Sequence, residues 1–353
     1  MKMTKKELNN RIQSFSKLGE LMKSFGQKEK WPGFEIGCTQ EEYIDFEDTI
    51  VVSKHHNGWF TEDNVRMALA ALGNELTEEN ISLWLNNYSL IGHDAKTIGI
   101  IMAGNIPLVG FHDFLCVLLA GHRVKIKLSS DDKLLLPGLV KFLINFKPEF
   151  KEEIEFVDGK LEKFDAVIAT GSNNTARYFN YYFGKYPNII RKNRNSVAVL
   201  DGTETPEELN QLGHDIFDYF GLGCRNVTKL YLPEGYEIDK FFKGIFNFSQ
   251  VVHANKYANN YDYNKAVWLL NLEKLLDNGF IILREDETIA SATGSLNYEY
   301  YSDRKELNAK LSGLEENIQC VISRDSIPFG DSQKPKLYDY ADGVDTIAFL
   351  VSL

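Results

Sequence analysis

Four short stretches of this chain put residues able to do chemistry at the ends of apolar runs. The first is Gly99–Pro107, GIIMAGNIP. An apolar run closes on Gly104 and Asn105, and a helix starting after Pro107 would offer backbone amides to an anion. An amide side chain at such a place is costly to bury without a partner, and it can donate to a developing oxyanion. A tight strand–helix turn accounts for the same residues, and the Gly-x-Gly-x-x-Gly fingerprint is absent. The second stretch is Lys125–Ser130, KIKLSS. A lysine leaving a buried strand there can meet a ribose hydroxyl or a phosphate, or simply reach solvent along its stem. The third is Ala169–Asn174, ATGSNN. Gly171 permits close approach, and Ser172 with helix-start amides suits a pyrophosphate; an ordinary N-cap by Ser172 or Asn173 fits equally.

The fourth stretch, Phe220–Asn226, is FGLGCRN. Its two glycines let backbone approach a ligand. Arg225 and nearby helix ends would lower the thiol pKa of Cys224, the setting that a thiolate nucleophile needs. The other cysteines lack this setting. Cys116 lies in FLCVLLA and Cys320 in QCVIS, both small buried hydrophobes by pattern, and Cys38 has no evident partner. With no Cys-x-x-Cys pair, reduced thiols in a cytoplasmic protein are expected. His55 and His56 are adjacent and cannot chelate on one helix face, and the other five histidines are scattered, so no metal site is expected. His253, before Asn255 and Lys256, is a faint acid–base candidate.

These stretches must be held by a fold. The chain has 353 residues, 44% hydrophobic and 25% charged, with a net charge of −11. That is a globular composition of roughly two domains. The negative charge disfavours nucleic-acid binding. Short basic clusters such as Arg191, Lys192 and Arg194 read as solvated surface. No apolar run reaches the roughly 18 residues of a membrane span, and the opening MKMTKKELNNRIQSF holds no apolar stretch of signal-peptide length.

Residues 4–25 carry apolar side chains at steps of three and four, the helical period. Thr61 and Thr77 cap two further helices. From residue 97 the pattern alternates: strands at 97–103, 124–128, 153–157, 165–169 and 196–200, with helices at 109–120, 132–145, 174–183 and 206–220. Thr205 and Glu208 form a capping box. Such alternation builds parallel sheets covered by helices, which bind ligands beyond the carboxyl ends of their strands. Later, 229–232, 280–283 and 319–323 read as strands, 239–248 as a helix, 256–263 as a polar-aromatic loop, and 345–353 as a terminal strand.

The order of the motifs, Asn-x-Pro, strand-end Lys, Thr-Gly-Ser and Gly-x-Gly-Cys, with Ile327–Gly330 (IPFG) late in the chain, resembles the aldehyde dehydrogenase superfamily. Within it, GNIPLVGFHDFL, ATGSNNTARYFNYYF, NRNSVAVLDG, FGLGCRNVTKLYLP, HANKYANNYDYN and FGDSQKPKLYDYADGVDTIAFL are similar to the long-chain acyl reductases of the bioluminescence fatty-acid reductase type. The likeness spans roughly 97–353. It implies an α/β protein of two Rossmann-like domains with parallel sheets and a C-terminal oligomerisation strand. The domains would be a helical region at 1–96, a cofactor domain at 97–204, a catalytic domain at 205–335, and the strand within 336–353.

By the same resemblance, Cys224 is the nucleophile and Asn105 the oxyanion donor, helped by the Cys224 amide. Gly104, Lys127, Ser129, Gly171 and Ser172 bind the cofactor. Aldehyde-oxidising relatives carry Glu-Leu-Gly-Gly-Lys where this chain has Ile190–Arg194 (IRKNR), so the base for acyl-enzyme hydrolysis is missing. Ser130 stands where NAD-preferring members have Glu, which favours NADPH, with NADH as the alternative. The resemblance therefore implies NAD(P)H-dependent reduction of a fatty acyl thioester, from acyl-CoA or an acyl-protein partner, to the aldehyde by a homo-oligomer. The competing expectations are a hydrolytic or CoA-acylating aldehyde dehydrogenase and a non-catalytic acyl-binding subunit.

Overall fold

A computed structural model describes residues 2–353. The chain forms two compact units. One runs to Lys192 and regains Lys336–Leu353; the other is Asn193–Pro335. The sequence placed breaks at 96, 204 and 335.

The first unit opens with four helices: α1 (Lys5–Gly26), α2 (Gln40–His56), α3 (Glu62–Glu75) and α4 (Glu78–Leu85). Thr4, Thr39, Thr61 and Thr77 cap them, each hydroxyl accepting a backbone N–H three residues on. The sheet and its helices follow: β1 (Thr97–Ile101), α5 (Phe111–Leu119), β2 (Arg123–Lys127), α6 (Leu135–Phe146), β3 (Ile154–Phe156), β4 (Ala166–Thr170), α7 (Asn173–Phe183) and β5 (Asn188–Arg191). All five strands are parallel, in the order β3-β2-β1-β4-β5. The two-residue period then sorts the side chains. Ile98, Ile100, Val124, Ile126, Ala166 and Ile168 join a core with α1–α6. Val167 and Ala169 face Leu161, Phe179 and Phe183 of the other layer. Buried on both faces, these strands read as continuous apolar runs.

The second unit contains β6 (Asn195–Val199), α8 (Pro206–Phe217), β7 (Val227–Pro233), α9 (Ile238–Gly244), α10 (Asn255–Leu270), β8 (Leu276–Asp277), β9 (Ile282–Glu285), β10 (Ser295–Tyr301), α11 (Arg304–Ser312) and β11 (Ile318–Ile322). Its sheet runs β11-β6-β7-β10-β9-β8, parallel except for the antiparallel β8–β9 pair. β6 thus belongs with β7 and β11, and the Thr205–Glu208 capping box opens α8 as expected. Leu307 and Leu311 of α11 pack on Val197, Val199 and Tyr231.

Three expectations need correction. The expected loop at 256–263 lies inside α10, where Tyr257, Tyr261 and Trp268 recur at helical spacing and are buried. The expected long helix to residue 220 stops at Phe217. The expected C-terminal strand is instead a helix, α12 (Thr346–Val351), in the first unit. Asp345 caps it by accepting from the Ala348 amide, and Ile347 and Leu350, three residues apart, are buried. A short apolar run does not distinguish the two states by pattern, and the cap decides this one. No helix among the described residues is long and apolar enough to cross a membrane.

Candidate active site

In the first unit the turns after β2, β1 and β4 emerge from neighbouring parallel strands, with Ile101 paired to Lys127 on one side and Ala169 on the other. The strand order reverses direction between β1 and β4, the place where open α/β sheets bind ligands. Gly104, Lys127, Ser129, Gly171 and Ser172 therefore come to one sheet edge. A Cβ on Gly104 would lie 2.7 Å from both Cβ and Oγ of Ser129, so these two turns pack only because residue 104 is glycine. Lys127 Nζ donates to the Gly159 carbonyl at 3.0 Å. The Ser172 hydroxyl accepts from the Thr175 amide at 3.2 Å and caps α7. Gly171 lets Thr175 and Phe179 approach within about 3 Å of its missing Cβ.

Asn105 is exposed in the turn between β1 and α5. That turn is longer than the sequence suggests, since α5 begins only at Phe111, and Leu108 adopts a left-handed φ of 58°. Two buried side chains hold it. Asn57, at the end of α2, donates to the Gly104 carbonyl at 3.5 Å and the Asp131 carbonyl at 3.4 Å. Asp132, only 8% exposed, accepts from the Leu108 amide at 2.9 Å. Burial pushes its pKa up to about 6 against the opposing pull of the Leu108 and Leu135 amides. Neither Asn57 nor Asp132 stands out in the sequence.

In the second unit the Cys224 turn enters β7, at the amino ends of β6 and β7, where Ser196 pairs with Val227. Of the four cysteines, Cys224 is half-buried and the others are buried. Burial, then Glu42, pushes the Cys38 thiol up to about 11. Burial, then Asp113, raises Cys116 well above the ordinary thiol value. Between α8 and Cys224 the chain takes three consecutive left-handed residues, Tyr219 (φ 54°), Phe220 (φ 58°) and Gly221 (φ 74°). Each non-glycine residue there costs about 1–2 kcal/mol.

The neighbours over-determine this conformation. Asn226, fully buried, accepts from the Gly223 amide at 2.8 Å. Its Nδ2 donates to the Asp215 and Asp218 carbonyls at 3.1 and 2.9 Å. The Ser196 hydroxyl donates to the Cys224 carbonyl at 2.9 Å. The Asp215 carboxylate, also fully buried, accepts from the Gly330 and Ser332 amides at 2.7 and 2.9 Å, which fixes the Ile327–Gly330 turn to the same helix end. Arg225 donates to Cys320 Sγ at 3.3 Å.

Two further residues that the sequence singles out have these places. Arg191, expected on a solvated surface, is 3% exposed. Its guanidinium meets Asp113 at 2.8 Å, Thr346 Oγ1 at 2.8 Å and the Ala341 carbonyl at 2.6 Å, because β5 ends over α5 and the C-terminal segment. His253 is exposed, just before α10. Among the described residues no group of three or more His, Cys, Asp or Glu side chains comes together to hold a metal ion.

No family model matches the sequence, and no curated protein does. Solved structures do resemble the chain. HpcC from Thermus thermophilus matches with a TM-score of 0.62 and 13% identity, over 89% of this chain and 69% of that one. Aldehyde dehydrogenase 21 from Physcomitrella patens, in complex with the reaction product succinate, matches at 0.61 and 12%, over 99% and 89%. An aldehyde dehydrogenase from Mycobacterium tuberculosis complexed with NAD+ matches at 0.58 and 14%, over 84% and 70%. The likeness is one of fold: this chain has the aldehyde dehydrogenase fold.

Proposed function

We propose that the protein is a nicotinamide-dependent reductase that converts a long-chain acyl thioester, from CoA or an acyl-carrying protein, to the fatty aldehyde in the cytoplasm. One observation carries the reading. Among four cysteines, only Cys224 escapes burial, and it sits in a strained glycine turn within an aldehyde dehydrogenase fold.

In this reading the Cys224 thiolate attacks the thioester carbonyl. A new carbon–sulfur bond forms, and the substrate thiol leaves and takes up a proton from solvent. The Asn105 amide and the Cys224 N–H are the oxyanion donors, each typically worth about 3 kcal/mol. A nicotinamide, when bound, would supply the hydride that reduces the acyl carbon. The resulting thiohemiacetal collapses to aldehyde and returns the Cys224 thiolate. Overall, thioester, NADPH and a proton give aldehyde, thiol and NADP+.

The first unit's residues fit such a cofactor. Lys127 carries a cation and Ser129 a hydroxyl at the end of β2, beside the reversal of strand order. The amino end of α7 at Gly171 and Ser172 offers backbone amides to a pyrophosphate. The side chain of Arg191 is committed to Asp113, and Ile190–Arg194 supplies no carboxylate to activate water. An acyl group leaving as aldehyde needs none.

The test uses purified protein with acyl-CoAs of graded length and follows NADPH consumption. Wild type is expected to turn over. Cys224→Ala should abolish turnover, by at least about three orders of magnitude for loss of a covalent nucleophile, with unchanged circular dichroism. Full activity in that variant, or rapid aldehyde oxidation without CoA, would overturn the reading.

A further inference from the structure

We propose that Asn226 and Ser196 are positioning residues that clamp the Leu222–Gly223 and Cys224–Arg225 peptide units, one on either side of the Cys224 Cα, and thereby set the reactivity of its sulfur; the inference rests on Cys224 being the nucleophile and adds the device that aims it. Both side chains are fully buried. Asn226 commits its amide oxygen and its amide nitrogen to main chain at the end of α8 and in the turn that follows: it accepts from Gly223 N–H and donates to the carbonyls of Asp215 and Asp218. That pattern fixes its amide orientation, because only Nδ2 can face two carbonyls. Ser196 reaches from the neighbouring strand to the Cys224 carbonyl. One bond thus falls just before the Cys224 residue and one just after it, and both bracket the sulfur's attachment point.

The Asn226 bonds to Asp215 and Asp218 also bridge the three left-handed residues at 219–221. Backbone in that region persists only where its surroundings force it, and such forcing gathers at functional sites. Without the clamp the chain between α8 and β7 could relax to ordinary dihedrals, carrying Cys224 away from its present direction. Displacements of about 1 Å are enough to cost a reaction a hundredfold.

Two variants test the clamp. Asn226→Asp keeps the acceptor for Gly223 and turns an oxygen towards the two carbonyls. Ser196→Ala deletes the bond to Cys224. Each is examined at a temperature well below its own Tm, by steady-state kinetics and by the rate of iodoacetamide labelling of Cys224 mapped by peptide mass spectrometry. We expect kcat to fall roughly a hundredfold in the first and tenfold in the second, with KM held within about twofold and labelling slowed in parallel. A merely structural role would lower Tm and leave both kcat and labelling rate unchanged at that temperature, and that result overturns the proposal. Should Asn226→Asp fail to fold, Ser196→Ala alone decides. If the wild type shows no acyl-CoA-dependent turnover, the functional reading fails, and the labelling rates still decide the clamp.

Discussion

The turn carrying Asn105 and the turn carrying Cys224 are built on opposite plans. The first leaves the carboxyl end of β1 and is held by side chains brought from afar, Asn57 from the helical layer and Asp132 from the start of the next connection. One of these holders is an ionisable group in an apolar setting. The second enters the amino end of β7, and its own peptide groups are held by a neutral amide and a hydroxyl across strained backbone, while the buried Asp215 carboxylate acts one step out, on the Gly330 and Ser332 amides. A carboxylate holder makes a turn sensitive to pH, while an amide holder does not. Two turns in one chain can thus answer to different controls, although both present a side chain at a sheet edge.

The largest effect bearing on this contrast concerns Asp132. Its pKa rises from the ordinary carboxylate value to about 6 in the folded state. Between those values the folded protein holds a proton that the unfolded chain does not, so stability falls as pH rises from about 4 to about 6. That difference corresponds to about 3 kcal/mol at most. Asp132→Asn, which keeps an acceptor for the Leu108 amide, should remove that slope from a plot of Tm against pH. An identical slope in the variant would show that the first turn is not charge-controlled.

Next come the two glycines, each expected to cost about 1–3 kcal/mol when replaced by alanine, by different mechanisms. Gly104→Ala drives a methyl into Ser129, a collision with a side chain. The double variant with Ser129→Gly should recover most of the loss, measured by urea unfolding. Gly221 has a φ of 74°, and its added Cβ would lie 3.2 Å from the Ile216 carbonyl oxygen, which is main chain. Trimming neighbouring side chains should not rescue Gly221→Ala. Rescue in the second case, or none in the first, would erase the distinction between a turn held by packing and one held by backbone strain.

The sequence shows the presented residues of both turns but not what holds them. The alternation from residue 97 and the caps at Thr61, Thr77 and Thr205 are local signals, and the structure follows them. Asn57 lies 47 residues from Gly104, a proximity that only the folded chain creates. Asp132 and Asn226 look like ordinary loop polars, because burial is not written in residue type. A faint cue for Asn226 exists: an asparagine set between a glycine-rich turn and the strand VTKLYLP. Arg191 misled by its basic neighbours. β10 is not legible in SLNYEYY, which is polar-aromatic rather than β-branched; its strand state is fixed by pairing with β7 and β9. α10 hid behind asparagine and tyrosine, weak helix formers whose tyrosines nonetheless fall four residues apart.

The smallest effect probes the edge of the second turn. His214, in the last turn of α8, sits 3.2 Å from Asp218, whose carbonyl also receives the Asn226 amide. The hydrogen bond to Asp218 is the leading cause of its raised pKa, opposed by burial. A histidine whose folded pKa exceeds its unfolded one stabilises fully below about pH 6.5 and loses that contribution as pH rises through the folded value. Because the His214 side chain is 46% exposed, solvent screens the pair, and a few tenths of a kcal/mol is the expected scale. His214→Gln should therefore lower Tm by about a degree at pH 5.5 and not at pH 9. This window lies above that of Asp132, so the two groups separate on one titration. A His214 effect as large as that of Asp132 would mean that charge does govern the Cys224 turn, through the helix end on which Asn226 pulls.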